Sequence, residues 1–251
     1  MKRSARAVAL TVLLILVAAW SLWPADGVPI LAYHKVGDSD EPYSVAPADF
    51  DAQMRWLAAE GYTAISLFDL IYHMTWGTAL PPKPIVITFD DGYADNLYNA
   101  LPILEKHGMK ATVFVITDRV GRDVYLNWKE IRELKARGTE IGSHTLAHRA
   151  LTDLPPAERL QDARSSKDAI EWQIEYPVFF LAYPYGRADA AAMDTVKQAG
   201  YLGACGTKPG LNKRGDNIYA LKRINIPRSD FGIFEFRMRL LRANIYARLG
   251  I

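Results

Sequence analysis

From residue 28 onward, apolar β-branched runs alternate with stretches of helical pattern, and this alternation restricts the fold more than any other feature. Strands are expected at 28–36, 62–67, 84–89, 110–116, 139–143, 178–183, 202–206 and 221–226, and helices at 47–60, 96–107, 127–137, 156–175 and 188–199. Gly61, Gly108, Gly138 and Gly200 each follow a helical stretch and precede an apolar run, the position of a left-handed cap. Asn127 and Glu130 have the spacing of a capping pair. Strands that are apolar throughout and separated by helices are parallel and covered on their faces. Without a Gly-x-Gly-x-x-Gly loop, the pattern favours a distorted (β/α) barrel over an open doubly wound sheet. In such barrels the functional groups gather where strands give way to loops.

With 251 residues and no repeat or linker beyond residue 27, residues 28–251 are expected to form one α/β domain. A helical extension is expected from about residue 229. Its sequence, "FEFRMRLLRANIYARLGI", suits either a last helix packed on the barrel with its arginines in water or a basic helix on a lipid surface; the packed helix is favoured. A formal charge of +2 argues against a nucleic-acid binder. The single cysteine, Cys205, excludes an intrachain disulfide and a multi-cysteine metal site.

Lys2, Arg3 and Arg6 precede an uncharged run from Ala7 to Trp23. Residues 1–27 therefore read as an export signal or a signal anchor, with the uncleaved anchor slightly favoured over cleavage after Ala19. Either places the domain on the periplasmic or extracellular side, with a membrane contact if the segment is retained.

Two patterns carry chemistry. In "VITFDDG" an apolar strand ends in adjacent carboxylates, Asp90 and Asp91, whose repulsion a cation or a shared proton would relieve. In "GSHTLAH", His144 and His148 are four residues apart, a spacing that places two imidazoles on one side of a helical turn. Both patterns follow predicted strands and fall at the same barrel end. Two histidines and one aspartate make a facial ligand set with positions left for water and substrate. One carboxylate can bind the ion while the other takes a proton from water. Of the remaining histidines, His107 sits at a helix end and His73 in a helical stretch, whereas His34 closes the apolar run "VPILAYHKV" at the active end.

"TFDDG", "SHTLAH" and "YPYG", in this order, resemble the NodB-homology polysaccharide deacetylases, carbohydrate esterase family 4. The resemblance covers roughly residues 28–228. It implies a seven- or eight-stranded distorted barrel and a metal-dependent hydrolase that removes acetyl groups from a glycan. By the resemblance, Asp91, His144 and His148 hold one divalent ion and Asp90 is the general base. The ion is zinc, with cobalt, nickel, iron or manganese as alternatives; no organic cofactor is implied. Tyr183, Pro184 and Tyr185 would line the cleft, with the Tyr185 N–H helping to hold the oxyanion.

Two departures follow. Where members usually carry an arginine two residues before the proline of the third motif, this chain has Ala182, and Lys222 or Arg223 is the candidate replacement. The usual late Leu-x-His is also missing. "ILAYHKV" ahead of "TFDDG" resembles the circularly permuted subgroup acting on poly-β-1,6-N-acetylglucosamine, a biofilm polysaccharide, and makes His34 the general acid. The implied partner is an acetylated polysaccharide, with peptidoglycan and chitin oligomers as alternatives. A catalytically silent glycan-binding barrel is the reading from another class. Oligomeric state is open. Tyr93, Tyr125, Trp128, Tyr183 and Tyr185 are candidates for stacking on sugar rings.

Overall fold

The computed structural model describes residues 26–250, so the expected N-terminal apolar helix lies outside the described residues. The strand expected at 84–89 forms over those residues, and the other predicted runs that become strands are shorter than predicted. The run before His34 splits into β1 (Ile30–Tyr33) and β2 (Lys35–Val36), and β2 pairs with β3 (Ser44–Val45). The run near residue 62 yields only β4 (Thr63–Ala64). The remaining strands are β5 (Pro84–Phe89), β6 (Thr112–Val115), β7 (Glu140–Ser143), β8 (Phe180–Ala182), β9 (Gly203–Cys205) and β10 (Ile224–Asn225).

The principal sheet has eight strands, all parallel, in the order β10-β1-β5-β6-β7-β8-β9, with β4 paired to the first two residues of β5. One parallel bridge, Cys205 to Leu221, connects β9 to the segment leading into β10. The result is a parallel sheet curled into an incompletely closed barrel. Within β5, β6 and β8 successive residues alternate between two cores, as the period of two requires. Val86, Phe114, Phe180 and Ala182 point into the barrel, and Ile85, Ile87, Val113 and Leu181 meet the helices outside.

The covering helices are α1 (Pro47–Ala59), α2 (Leu67–Trp76), α3 (Leu101–Lys106), α4 (Trp128–Ala136), α5 (Pro156–Ile174), α6 (Ala190–Gln198) and α7 (Gly232–Leu249). Asn127 and Glu130 form the expected capping box at the start of α4. Helix α2, capped by Ser66 and Asp69, plays a different part from the others. Its Leu67, Leu70, Ile71 and Met74 belong to the interior core with Ile30, Val86 and Phe114, so it plugs the barrel from the end where the strands begin. Each such buried side chain contributes about 1.5–3 kcal/mol. Helix α7 packs through Phe236, Leu240 and Ala243, and Phe236 meets Trp56 of α1 edge-on.

The helix predicted over 96–107 is interrupted. Asn96–Ala100 form a π turn before α3. Pro102 has no N–H to return to the carbonyl four residues back, which removes one regular helical bond at this point. The turn points two side chains at the chain after β1: Asn96 Nδ2 donates to the His34 carbonyl at 2.9 Å and Asn99 Nδ2 to the Val36 carbonyl at 2.7 Å.

Candidate active site

Register brings the first two groups together. Tyr33 of β1 is paired with Phe89 of β5, and the Asp90 N–H donates to the Tyr33 carbonyl at 2.9 Å. His34 and Asp90 are therefore neighbours across two adjacent strand ends. Arg223, immediately before β10 on the other side of β1, reaches Asp90 with a two-pronged bond: Nη1 to Oδ1 and Nη2 to Oδ2, each 2.7 Å. Its Nε donates to the Gly206 carbonyl at 2.8 Å, and Nη1 also lies 3.2 Å from Thr88 Oγ1. Both partners are buried, Arg223 to 1% exposure and Asp90 to 4%. Lys222, the alternative from sequence, points away; its ammonium donates to Asp216 at 2.9 Å and to the Leu211 carbonyl.

This pairing decides the ionisation of Asp90. Burial would raise its carboxyl, but the Arg223 charge and hydrogen bonds, with His144 and His34, hold it well below the usual carboxylate range. Two bonds from arginine leave each oxygen a further lone pair.

Asp91, one residue on, turns back into the barrel mouth with φ of +74°, followed by Gly92 at +76°. Its Oδ1 lies 3.5 Å from Nε2 of both His144 and His148. One ligand atom from each of the three residues lies within 4.8 Å of the others. These separations are too long for good hydrogen bonds. They suit donors that each approach a shared ion at about 2.0–2.2 Å. The residues thus fit a divalent cation. His144 Nδ1 lies 2.7 Å from the Ala182 carbonyl, which can only accept, so this nitrogen carries the hydrogen and Nε2 is left as a donor for a metal. Burial first, then the charges of His144 and Arg119, push the His148 imidazole down to about 4 despite Asp91 and Asp90. It is neutral at physiological pH, the form that binds metal.

The expectation of a helical turn under the two histidines is not met. Residues 144–148 form a loop in which Thr145 and His148 have φ of +67° and +59°. The Thr145 hydroxyl accepts from the His148 N–H at 3.1 Å, and Ser143 Oγ accepts from the Thr145 N–H at 3.1 Å. These local side-chain bonds take the backbone out of the helix. With Asp91 and Tyr185 (φ +58°), four residues other than glycine hold left-handed backbone around one site. Such conformations are costly and concentrate where function requires them.

The "YPYG" segment divides. Tyr183, expected in the cleft, is instead core: it is fully buried and its hydroxyl donates to the Tyr219 carbonyl at 3.0 Å. It joins the outer core between sheet and helices, with Leu181, and so cannot wall a cleft. Pro184 is buried, and Tyr185 is 66% exposed with its ring 4.7 Å from that of His148. Gly186 (φ +65°) makes this turn possible. A Cβ there would stand 1.9 Å from Thr207 Oγ1. Gly186→Ala is expected to destabilise the fold by about 1–3 kcal/mol in urea unfolding and to displace Tyr185.

His34 faces the same centre. Burial lowers its pKa and Arg223 and His144 add to that, while Asp90 and Asp91 oppose it. Its Nδ1 is buried and has no hydrogen-bond partner among the described residues. Its ring rests on Tyr43, 4.7 Å away. Tyr43 is half exposed and stands opposite Tyr185 in role, one ring beside His34 and one beside His148. Sequence reading missed Tyr43; nothing in "EPYSV" sets it apart from a turn residue. It also missed Asn96 and Arg119. Arg119 donates to the Tyr125 hydroxyl, and the Tyr125 ring stacks 4.9 Å from Tyr93. Trp128 packs on the outer core. His73 bonds the Thr78 carbonyl and His107 bonds Asp51, both away from this cluster. Burial pushes the Cys205 thiol up to about 12, which removes it as a nucleophile.

Known proteins resemble this chain. Residues 77–204 match the model of a family described as polysaccharide deacetylase. YxkH of Bacillus subtilis (strain 168), which carries the name of a polysaccharide deacetylase, is 32% identical over 199 residues, covering 79% of this chain and 71% of that protein. The poly-β-1,6-N-acetyl-D-glucosamine N-deacetylase of Escherichia coli (strain K12) is 26% identical over 225 residues, covering 71% of this chain; the match spans only 34% of that longer protein. Among solved structures, the Streptococcus pyogenes deacetylase PplD in complex with acetate superposes with a TM-score of 0.80 at 26% identity, covering 88% of this chain and 99% of that one.

Proposed function

The chain belongs to the polysaccharide deacetylase family, and on that premise we propose that it hydrolyses N-acetyl groups on an exported N-acetylglucosamine polymer, poly-β-1,6-N-acetylglucosamine first. The observation that carries the reading is the adjacency of His34 and the Arg223-held Asp90 to the Asp91–His144–His148 cluster. The E. coli relative and the position of His34 ahead of the carboxylate pair favour this polymer over peptidoglycan or chitin.

Asp91, His144 and His148 would hold the divalent ion, zinc by ligand type, which when bound lowers the pKa of water from about 15.7 towards 7 and polarises the acetyl carbonyl. Asp90, ionised at all working pH, accepts the proton of the attacking water. Arg223 fixes the plane of that carboxylate. The Tyr185 N–H, displayed by the left-handed turn, offers a donor to the oxygen on which charge develops. His34 gives a proton to the departing sugar nitrogen, which leaves as a free amine. Tyr43 and Tyr185 present open rings against which sugar faces can rest. The pairing of Arg223 with Asp90 supports a catalytic barrel over a silent binding one.

The test is acetate release from a panel of β-1,6-linked, chitin and peptidoglycan oligomers. Release is expected from the first, lost with a chelator and restored by zinc. No release from any oligomer with defined metals would sink the reading. His34→Ala is expected to slow amide hydrolysis far more than hydrolysis of an activated acetate ester, whose leaving group needs no proton. Equal losses on both substrates would remove His34 as the acid. Export, with residues 1–27 retained as an anchor, is part of the same proposal, and membrane fractionation of the expressed chain tests it.

A further inference from the structure

The outer face of the barrel plug has no catalytic part, yet it carries a continuous file of aromatic rings. Helix α2 runs beneath the barrel from the start of β7, where Glu140 accepts from the Leu67 N–H, towards Arg214, whose guanidinium flanks Gly77. Its inward residues fill the interior core. On the other side Phe68, Tyr72 and Trp76 recur every fourth residue, and their rings touch in series at 4.5 and 4.5 Å. Phe179 continues the file 5.3 Å from Phe68, and Tyr176 lies 6.5 Å beyond. Five rings thus cross the closed end of the barrel. Trp76 is 65% exposed, Tyr176 49% and Tyr72 39%. Lys135 lies over the Tyr176 ring at 3.8 Å, and Lys83, Lys110, Lys213 and Arg214 are exposed around the same end. Glu60 and Glu175 are exposed there too, so the rings rather than net charge distinguish this face.

The chain emerges beside this file. Val28 pairs antiparallel with Asn212, and a Cβ on Gly27 would meet Leu211 at 2.8 Å. Asn212 and Arg214 are separated by no more than about 7 Å of extended backbone. Gly27 and Val28, which follow the basic start and the 17-residue run from Ala7 to Trp23 free of charge, therefore lie at the rim of the aromatic face. The catalytic cluster lies at the opposite strand ends.

We propose that the outer face of α2, centred on Tyr72 and Trp76, is a second membrane contact that seats the barrel on the lipid headgroup layer with its catalytic mouth turned away from the bilayer. Tryptophan and tyrosine favour this layer because one end of the ring system is apolar and the other is polar, and lysine and arginine beside them reach lipid phosphates. The inference rests on the anchor reading of residues 1–27. Among the described residues no helix is long and apolar enough to cross a membrane, so the barrel itself would lie on the surface.

The test uses the full chain on vesicles of phosphatidylcholine and phosphatidylglycerol. Trp76→Cys and, separately, Tyr72→Cys are labelled with an environment-sensitive nitrobenzoxadiazole dye; Cys205 is buried and stays unlabelled. Asp40→Cys, on the loop after β2, is the control at the catalytic end. The dye at positions 76 and 72 is expected to shift to the blue and to be quenched by lipids brominated near the headgroup, while the dye at 40 stays in water. Retention after carbonate washing reports the anchor independently. A blue shift without carbonate resistance would support the face and refute the anchor. A chain held against carbonate with positions 76 and 72 in water would overturn the face and leave the anchor standing. Shielding of position 76 by N-acetylglucosamine oligomers but not by vesicles would also overturn it, in favour of a glycan platform.

Discussion

Asp90→Asn is expected to lower kcat by about 10²–10⁴-fold, the usual contribution of a positioned base. The bound metal should remain at one equivalent, because the proposed ligand set is Asp91, His144 and His148 and does not include Asp90. Metal analysis beside steady-state kinetics separates the two carboxylates. The variant also tests the fold, since Arg223 keeps the Gly206 carbonyl and Thr88 hydroxyl as partners but loses a charged one. A lower Tm is therefore expected together with the lost rate. An active variant would remove Asp90 as the base. A variant without metal would show that the pair shares the ion.

Arg223→Met is expected to be as damaging, for a different reason. It leaves a carboxylate 4% exposed without its partner, and breaking a buried pair from one side costs about 3–5 kcal/mol. Tm should fall by about 2–4 °C per kcal/mol for a domain of this size. The pH profile carries the finer prediction. With Arg223 present, the Asp90 carboxyl is held down, so the pair contributes stability above the ordinary aspartate pKa of about 3.9 and loses it as pH falls through the lower folded value. Without the arginine, burial acts on Asp90 with much less opposition and raises its pKa. The acid limb of kcat/KM must then move to higher pH, because the base is protonated sooner. Arg223→Lys, which keeps a charge but not the two-pronged geometry, should fall between. A limb that does not move would mean that Arg223 only braces the fold.

Sequence carried the fold as far as local chemistry reaches. The glycines after α1, α3, α4 and α6 sit at positive φ, the left-handed position assigned to them from residue order. The "TFDDG" and "SHTLAH" residues converge because each follows a strand of one parallel sheet, and parallel strands finish on one side. What remained hidden depends on long-range contact. The choice between Lys222 and Arg223 turns on which neighbour faces inward, and Arg223 meets Asp90 across 133 residues of chain. The loop under His144 and His148 was misread because a four-residue spacing describes helices and several other turns equally well. Here the hydroxyls of Ser143 and Thr145 took over the backbone bonds. Tyr183 continues the alternation of β8 and turns outward with Leu181 into the helix layer, where a motif position alone does not show that its ring is covered.

The order of strands has a last consequence. β1 lies between β10 and β5, so His34, Arg223 and Asp90 come from three side-by-side strands that join the first, last and middle parts of the chain. The family match over 77–204 contains Asp90, Asp91, His144 and His148 but neither His34 nor Arg223. On the proposed roles, the ion ligands and the base share the middle stretch, whereas the acid and the arginine that fixes the base lie outside it. A homologue that keeps the middle stretch intact while its first or last strand has drifted could still capture the ion yet be unable to release the amine.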